Sequence, residues 1–198
     1  MKKIILTLSA VLVLISFNSC KDTNKTQEQT PVAVKPLDEL QPDTTFDDVV
    51  TTFEALEQDP NYNSLLKLVN QARMIDAVKG LSDVTFFAPT NAAINRLPEG
   101  TYDNLRLPQN LGKLQNILKY HIVQGETDAA TLVATLKDMD TPYRLKTLTG
   151  GYISLRLVEG VIIITDEHGT ESKVSEPDIE TSNGVIHGIE NVLIPITK

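Results

Sequence analysis

Apolar residues recur at helical spacing through the first half of the chain and at strand spacing through the second. Phe46, Val49, Val50 and Phe53 fall at i, i+3, i+4 and i+7, which predicts a helix capped by Thr44 or Thr45. A second helical pattern runs from Ser64 to Lys79, with Leu65, Leu66, Leu68, Val69, Ile75 and Val78 on its apolar side and Gly80 as its stop. Val84 to Ala88 is a short β-prone run. Pro89-Thr90-Asn91 turns it into a third helix carrying Ala93, Ile94 and Leu97, and Leu111 to Lys119 predicts a fourth with Leu114, Ile117 and Leu118 inward.

After Tyr120 the period shortens. Thr127 or Asp128 caps a short helix to about Leu136, and the rest reads as strands: Tyr143–Leu148, Tyr152–Val158, Val161–Thr165, Val185–Ile189 and Val192–Ile196. Thr149-Gly150-Gly151, Glu159-Gly160 and Asp166-Glu167-His168-Gly169 supply turns between them. Helices first and hairpins later argue for an α+β domain rather than an alternating parallel sheet. No internal repeat appears, so a single domain is expected.

The first 43 residues have a different character. Lys2 and Lys3 precede fourteen mostly apolar residues, Ile4 to Phe17, which are too few to span a hydrocarbon core and suit a signal-peptide h-region. Ser19 stands directly before Cys20, the single cysteine. This resembles a bacterial lipoprotein signal, in which such a cysteine is lipidated on sulfur and becomes the new N-terminus. Phe17 departs from the pattern, where Leu is usual, and an ordinary secretory signal is the alternative. The expectation is a signal peptide over residues 1–19, lipid attachment at Cys20, and a linker over 20–43 that holds Pro31, Pro36 and Pro42 and too little apolar surface to fold. Lys21-Asp22 resembles the surface-export signal of some Bacteroidetes lipoproteins. A cell-envelope location follows, as an outer-membrane lipoprotein with the domain facing the periplasm or the cell surface.

Charge narrows the partners. The formal net charge is −8, and becomes −10 if cleavage removes Lys2 and Lys3. Such a surface repels phosphate backbones and anionic headgroups, so nucleic acid is excluded as a partner and the lipid is the expected link to the membrane. With one cysteine the domain is held by packing, not by an internal disulfide.

Three segments stand out, Thr85–Pro98 (TFFAPTNAAINRLP), Leu118–Gly125 (LKYHIVQG) and Thr181–Pro195 (TSNGVIHGIENVLIP), and in order and spacing they resemble the signature segments of fasciclin domains. The resemblance covers residues 44–197. It implies a β-wedge of mixed and antiparallel strands with helices packed around it, and it marks Pro89, Thr90, Asn91, Asn183, Gly184 and His187 as motif positions with structural roles. Asn183-Gly184 reads as a tight turn feeding the strand Val185-Ile186-His187. Gly188 stands where the family usually has a larger apolar residue, which points to a bulge or a close contact beside His187.

Chemistry is sparse. The three histidines, 121, 168 and 187, have no zinc-ligand spacing, and no nucleophile elbow, phosphate loop or dinucleotide fingerprint occurs. No catalytic residue and no cofactor is expected. His121 and His187 read as core histidines satisfied by backbone or Asn/Asp groups, with a ligand-facing or pH-sensitive pair as the alternative. Two features resemble adhesion elements of animal family members: Tyr120-His121, and Glu176-Pro177-Asp178-Ile179, where Pro177 presents Asp178. Tyr120, His121, Asp178 and Ile179 are therefore the candidate contact residues, although Asp178-Ile179 also reads as a turn and core anchor kept for folding. The resemblance implies an adhesion or interaction module with a protein or glycan partner. A carrier of a small apolar ligand and a structural envelope component are the alternatives.

Overall fold

The computed structural model describes residues 50–196. The signal, Cys20, the linker and the first residues of the first expected helix lie outside them.

Among the described residues seven α-helices and seven strands follow in order. The helices are α1 (Thr52–Gln58), α2 (Asn63–Gln71), α3 (Ile75–Lys79), α4 (Asn91–Asn95), α5 (Thr101–Leu105), α6 (Leu111–Tyr120) and α7 (Ala129–Lys137). The strands are β1 (Val84–Pro89), β2 (Ile122–Gln124), β3 (Tyr143–Lys146), β4 (Tyr152–Val158), β5 (Val161–Thr165), β6 (Glu171–Thr181) and β7 (Gly184–Ile189).

One sheet runs β2-β1-β7-β6-β5-β4-β3. Only β1 and β7 pair in parallel; the other pairs are antiparallel. The two ends of the sheet approach each other, with Val123 bridging Thr147 and the Leu148 amide donating to the Ile122 carbonyl at 2.9 Å. The sheet thus nearly closes on itself, the expected α+β wedge.

Two cores result. The first lies between helices α1–α6 and the sheet, and includes Phe53, Leu56, Tyr62, Leu65, Leu114, Phe86 and Ile186. The second fills the inside of the curled sheet under α7, and includes Phe87, Val123, Leu132, Ile153, Leu155, Ile164, Ile189 and Leu193. β1 is buried along its whole length and sends Phe86 to one core and Phe87 to the other. That is why its sequence is an apolar run broken only by Thr85 rather than an alternation.

Several expectations change. α1 begins at Thr52, and Thr51 caps it, accepting from the Glu54 amide while the Glu54 carboxylate accepts from the Thr51 amide, a complete capping box; the expected caps Thr44 and Thr45 lie outside the described residues. The long 64–79 helix is two helices. Arg73 sits at φ 56°, and the Arg73 and Met74 amides donate back to Asn70 and Val69, a Schellman end built without glycine. α5 and β2 had no clear periodic signal. β6, the longest strand, was hidden because Glu171–Thr181 is polar and contains Pro177. It tolerates both through register shifts between Val174 and Glu176 and between Glu176 and Ile179. Val192–Ile196 forms no strand. Its amides go to side chains instead: Leu193 to His121 Nε2, Ile194 to Asp166 Oδ2 and Ile196 to Glu167 Oε2.

Candidate interaction site

The motif residues lie along the parallel pair of β1 and β7: Asn183 and Gly184 at one end, Pro89, Thr90 and Asn91 at the other, and His187 between them, facing the N-terminus of α7. Thr90 caps α4, accepting from the Ala93 amide at 3.3 Å, and its hydroxyl reaches the Ile189 carbonyl at 3.4 Å. Asn91 accepts from the Ser64 amide and donates to the Pro60 carbonyl, so its carboxamide joins α4 to α2. Pro89 ends β1 opposite Ile189.

The hairpin turn before β7 consists of Ser182 and Asn183, closed by the pair Thr181 and Gly184; Gly184 is therefore the first residue of β7, not part of the turn. Asn183 acts as a hub. Its Oδ1 accepts from the Thr52 amide and hydroxyl, each at 2.7 Å, and its Nδ2 donates to the Leu81 carbonyl at 2.8 Å. Gly184 passes so close to β1 that an added Cβ would collide with the Val84 carbonyl oxygen.

His187 is fully buried and lies 5.5 Å from the Phe87 ring. Its Nε2 donates to the Thr127 carbonyl at 2.9 Å, while Nδ1 accepts the Asp178 amide at 3.3 Å. Asp178 adopts φ 59°, and its Oδ1 accepts the first amide of α7, that of Ala129, at 2.6 Å. Asp128 caps the same helix through the Thr131 amide. The start of α7 is thus held on the sheet by the His187 imidazole and the Asp178 carboxylate, while Asp128 caps the helix from within, and both carboxylates lie at its positive end. Burial lowers the His187 pKa below its ordinary value, against the pull of the Thr127 carbonyl and of Asp178 and Asp128. The backbone bonds at Thr131 hold Asp128 low.

Tyr120 and His121 are buried, with 0% and 1% exposure, and so are not available as a surface contact. Tyr120 donates its hydroxyl to the Tyr152 carbonyl at 2.7 Å and accepts the Glu167 amide; burial raises its pKa to about 12. His121 donates from Nδ1 to the Ile117 carbonyl at 2.8 Å and accepts the Leu193 amide at Nε2 at 3.0 Å. Burial lowers its pKa to about 4. Both motif histidines are neutral tethers with both nitrogens occupied, as the core reading expected. His168 lies exposed in the β5–β6 turn.

The Glu176–Ile179 segment divides similarly. Ile179 is partly buried against the first core. Pro177 is exposed, and Asp178 keeps 38% of its side chain exposed while Oδ1 caps α7. Of the four candidate contact residues, only Asp178 presents a polar group to solvent. Sequence reasoning missed Asp166, a buried carboxylate that accepts the amides of His168, Thr170 and Ile194. Its place in an Asp-led turn was the one available signal. Among the described residues no cluster of His, Cys, Asp and Glu suits a metal, and no helix is long and apolar enough to cross a membrane.

This architecture has known counterparts. Protein sll1483 of Synechocystis is 31% identical over 149 residues, spanning 75% of this chain and 76% of that protein. Transforming growth factor-beta-induced protein ig-h3 of Sus scrofa is 30% identical over 145 residues, which is 73% of this chain and 19% of the larger protein. A solved domain pair from the insect cell adhesion molecule fasciclin I shares the fold, with a TM-score of 0.52 at 23% identity over 66% of this chain and 45% of that one. The fasciclin domain model matches residues 60–195, and the chain belongs to the fasciclin domain family.

Proposed function

We propose that this protein is a lipid-anchored contact module of the cell envelope, which works by holding another surface protein or a glycan rather than by catalysis. One observation carries the reading. The polar groups of the family motifs are used up inside the fold: both nitrogens of His121 and of His187 are bonded to backbone, and Asn91 and Asn183 join helices and strands. These motifs build a rigid body and leave no poised acid–base pair, so the activity resides in the surface that the body displays. Adhesion is named for the insect protein that shares the fold. The lipidated Cys20 and the linker to residue 43 supply the display, as an outer-membrane lipoprotein.

An apolar carrier is less well supported. A depression of about 410 Å³ has Asn116, Thr149 and Glu167 in its wall, where a carrier calls for an apolar chamber.

Deleting the protein from its host and measuring attachment to surfaces and to other cells tests the reading. Reduced attachment, restored by the wild-type chain, is expected. Unchanged attachment, with no envelope protein or surface polymer retained by the purified protein, overturns it.

A further inference from the structure

Four depressions on the described surface share walls in series. The 410 Å³ cleft, between the β3–β4 turn and the β5–β6 turn, contains Tyr152 and Glu167 and shares Asn116 and Pro195 with a small saddle. The saddle shares Lys113 with a depression of about 370 Å³, and that one shares Glu99 and Gly100 with a depression of about 200 Å³ that contains Tyr102. Together they form a line of neighbouring depressions, hereafter the groove, with a tyrosine near each end. None of its parts is a deep apolar socket of the kind that anchors a peptide side chain.

The groups on the groove suit hydroxyl-rich units. Tyr152 is the one exposed aromatic among the described residues, at 39%, and Arg144, which is no part of the cleft wall, stacks on its ring at 4.3 Å. That contact fixes the orientation of the ring at the edge of the cleft. The half-buried Asn116 carboxamide, shared by two of the depressions, has no hydrogen-bond partner among the described residues. Glu167 is fixed by accepting the Tyr152 and Ile196 amides, and Gly151 leaves it room, since a Cβ there would lie 3.2 Å from the carboxylate. A rigid aromatic face beside amide, carboxylate and hydroxyl groups binds a sugar ring: its C–H face against the aromatic, its hydroxyls to the polar groups. The acidic chain disfavours an anionic polymer.

From this geometry we infer that the groove running from Tyr152 past Asn116 to Tyr102 binds an extended, uncharged polysaccharide. The inference rests on the contact-module reading and names the ligand class and the site.

The test is affinity electrophoresis of the detergent-solubilised full chain through native gels containing mixed-linkage β-glucan, galactomannan, dextran or, as the anionic control, polygalacturonate. Retardation by at least one neutral polymer is expected. Tyr152→Ala and Asn116→Ala should each weaken it by about tenfold while the thermal midpoint stays put. Tyr102→Ala should weaken binding of long chains more than of short oligosaccharides. Absence of retardation by every neutral polymer, retardation only by polygalacturonate, or retardation undiminished in all three variants overturns the inference. So does binding to immobilised unfolded casein with none to the polymers, which would assign the groove to polypeptide. The same variants measured for cell attachment separate the two failures. If no neutral polymer binds but the deletion strain still loses attachment, the groove assignment falls and the contact-module reading stands.

Discussion

The Tyr62 hydroxyl donates to the Glu176 carboxylate at 2.7 Å across the place where Gly188 has no side chain. A Cβ at Gly188 would collide with that hydroxyl and lie 2.9 Å from the Glu176 Cβ. The close contact expected beside His187 is therefore real, and it joins the segment before α2 to the bulge of β6. Burial and the neighbouring Glu176 push the Tyr62 phenol far above its ordinary pKa, so it remains a donor at any physiological pH. Gly188→Ala is expected to cost about 2–4 kcal/mol. Tyr62→Phe should cost about 1.5–3 kcal/mol alone and relieve part of the Gly188→Ala clash when the two are combined. Urea unfolding of the four proteins of this cycle checks both numbers, and simple additivity would refute the contact.

Asn183 offers a second test. Removing its carboxamide strands the Thr52 amide and the Leu81 carbonyl in partly buried positions. Asn183→Ala should cost about 2–4 kcal/mol. Asn183→Asp retains the acceptor for Thr52 and loses the donor to Leu81, so it should fall between Ala and wild type. Equal loss in both variants would show that the acceptor bonds contribute little.

Acid should weaken the fold through its histidines. Burial holds His121 at about 4 and lowers His187, whereas an unfolded histidine titrates near 6.5. Between those values the unfolded chain binds protons that the native chain refuses. Stability is thus full above about pH 6.5 and falls as pH drops toward 4, by about 3 kcal/mol for His121. Protonated His187 would also lose its acceptor for the Asp178 amide, although Asp178 Oδ1 stands 3.9 Å from Nδ1. Denaturant midpoints from pH 7.5 to 4.5 test this. His121→Asn should be less stable at pH 7 and show a flatter slope, and an unchanged slope would place the acid sensitivity elsewhere.

Anchoring is tested outside the domain. Cys20→Ala should release the protein from membranes or block its processing, with loss of the lipid mass. Unchanged membrane retention and mass would refute lipidation.

Asp178 separates folding from contact. Its Oδ1 bond to the Ala129 amide should make Asp178→Ala lose about 1–2 kcal/mol through the α7 cap. Asp178→Asn retains an acceptor and should lose less. Attachment that tracks these stabilities would mark Asp178 as a capping residue; loss of attachment in a stable Asp178→Asn variant would mark it as a contact.

Much of this domain was legible in the sequence, because local rules decide it. β4 and β5 have the expected bounds, Thr90 and Asp128 cap the helices that they precede, and the helix-then-hairpin order announces α+β. Three ordered motifs were enough to mark the family. The rest depended on partners distant in the chain. Glu171–Thr181 carries no strand pattern of its own and becomes a strand only because β5 and β7 bond to it. Val192–Ile196 reads as strand until the side chains of His121, Asp166 and Glu167 take its amides. The family resemblance made Tyr120 and His121 contact candidates while His121 also read as a core histidine, and no local pattern shows that Tyr152, Glu167 and Leu193 take up their polar atoms. A residue's hydrogen-bonding capacity is written in its type, but whether water, a ligand or the fold satisfies it is settled only when segments 70 residues apart or more, as at His121 and Leu193, come within 3 Å.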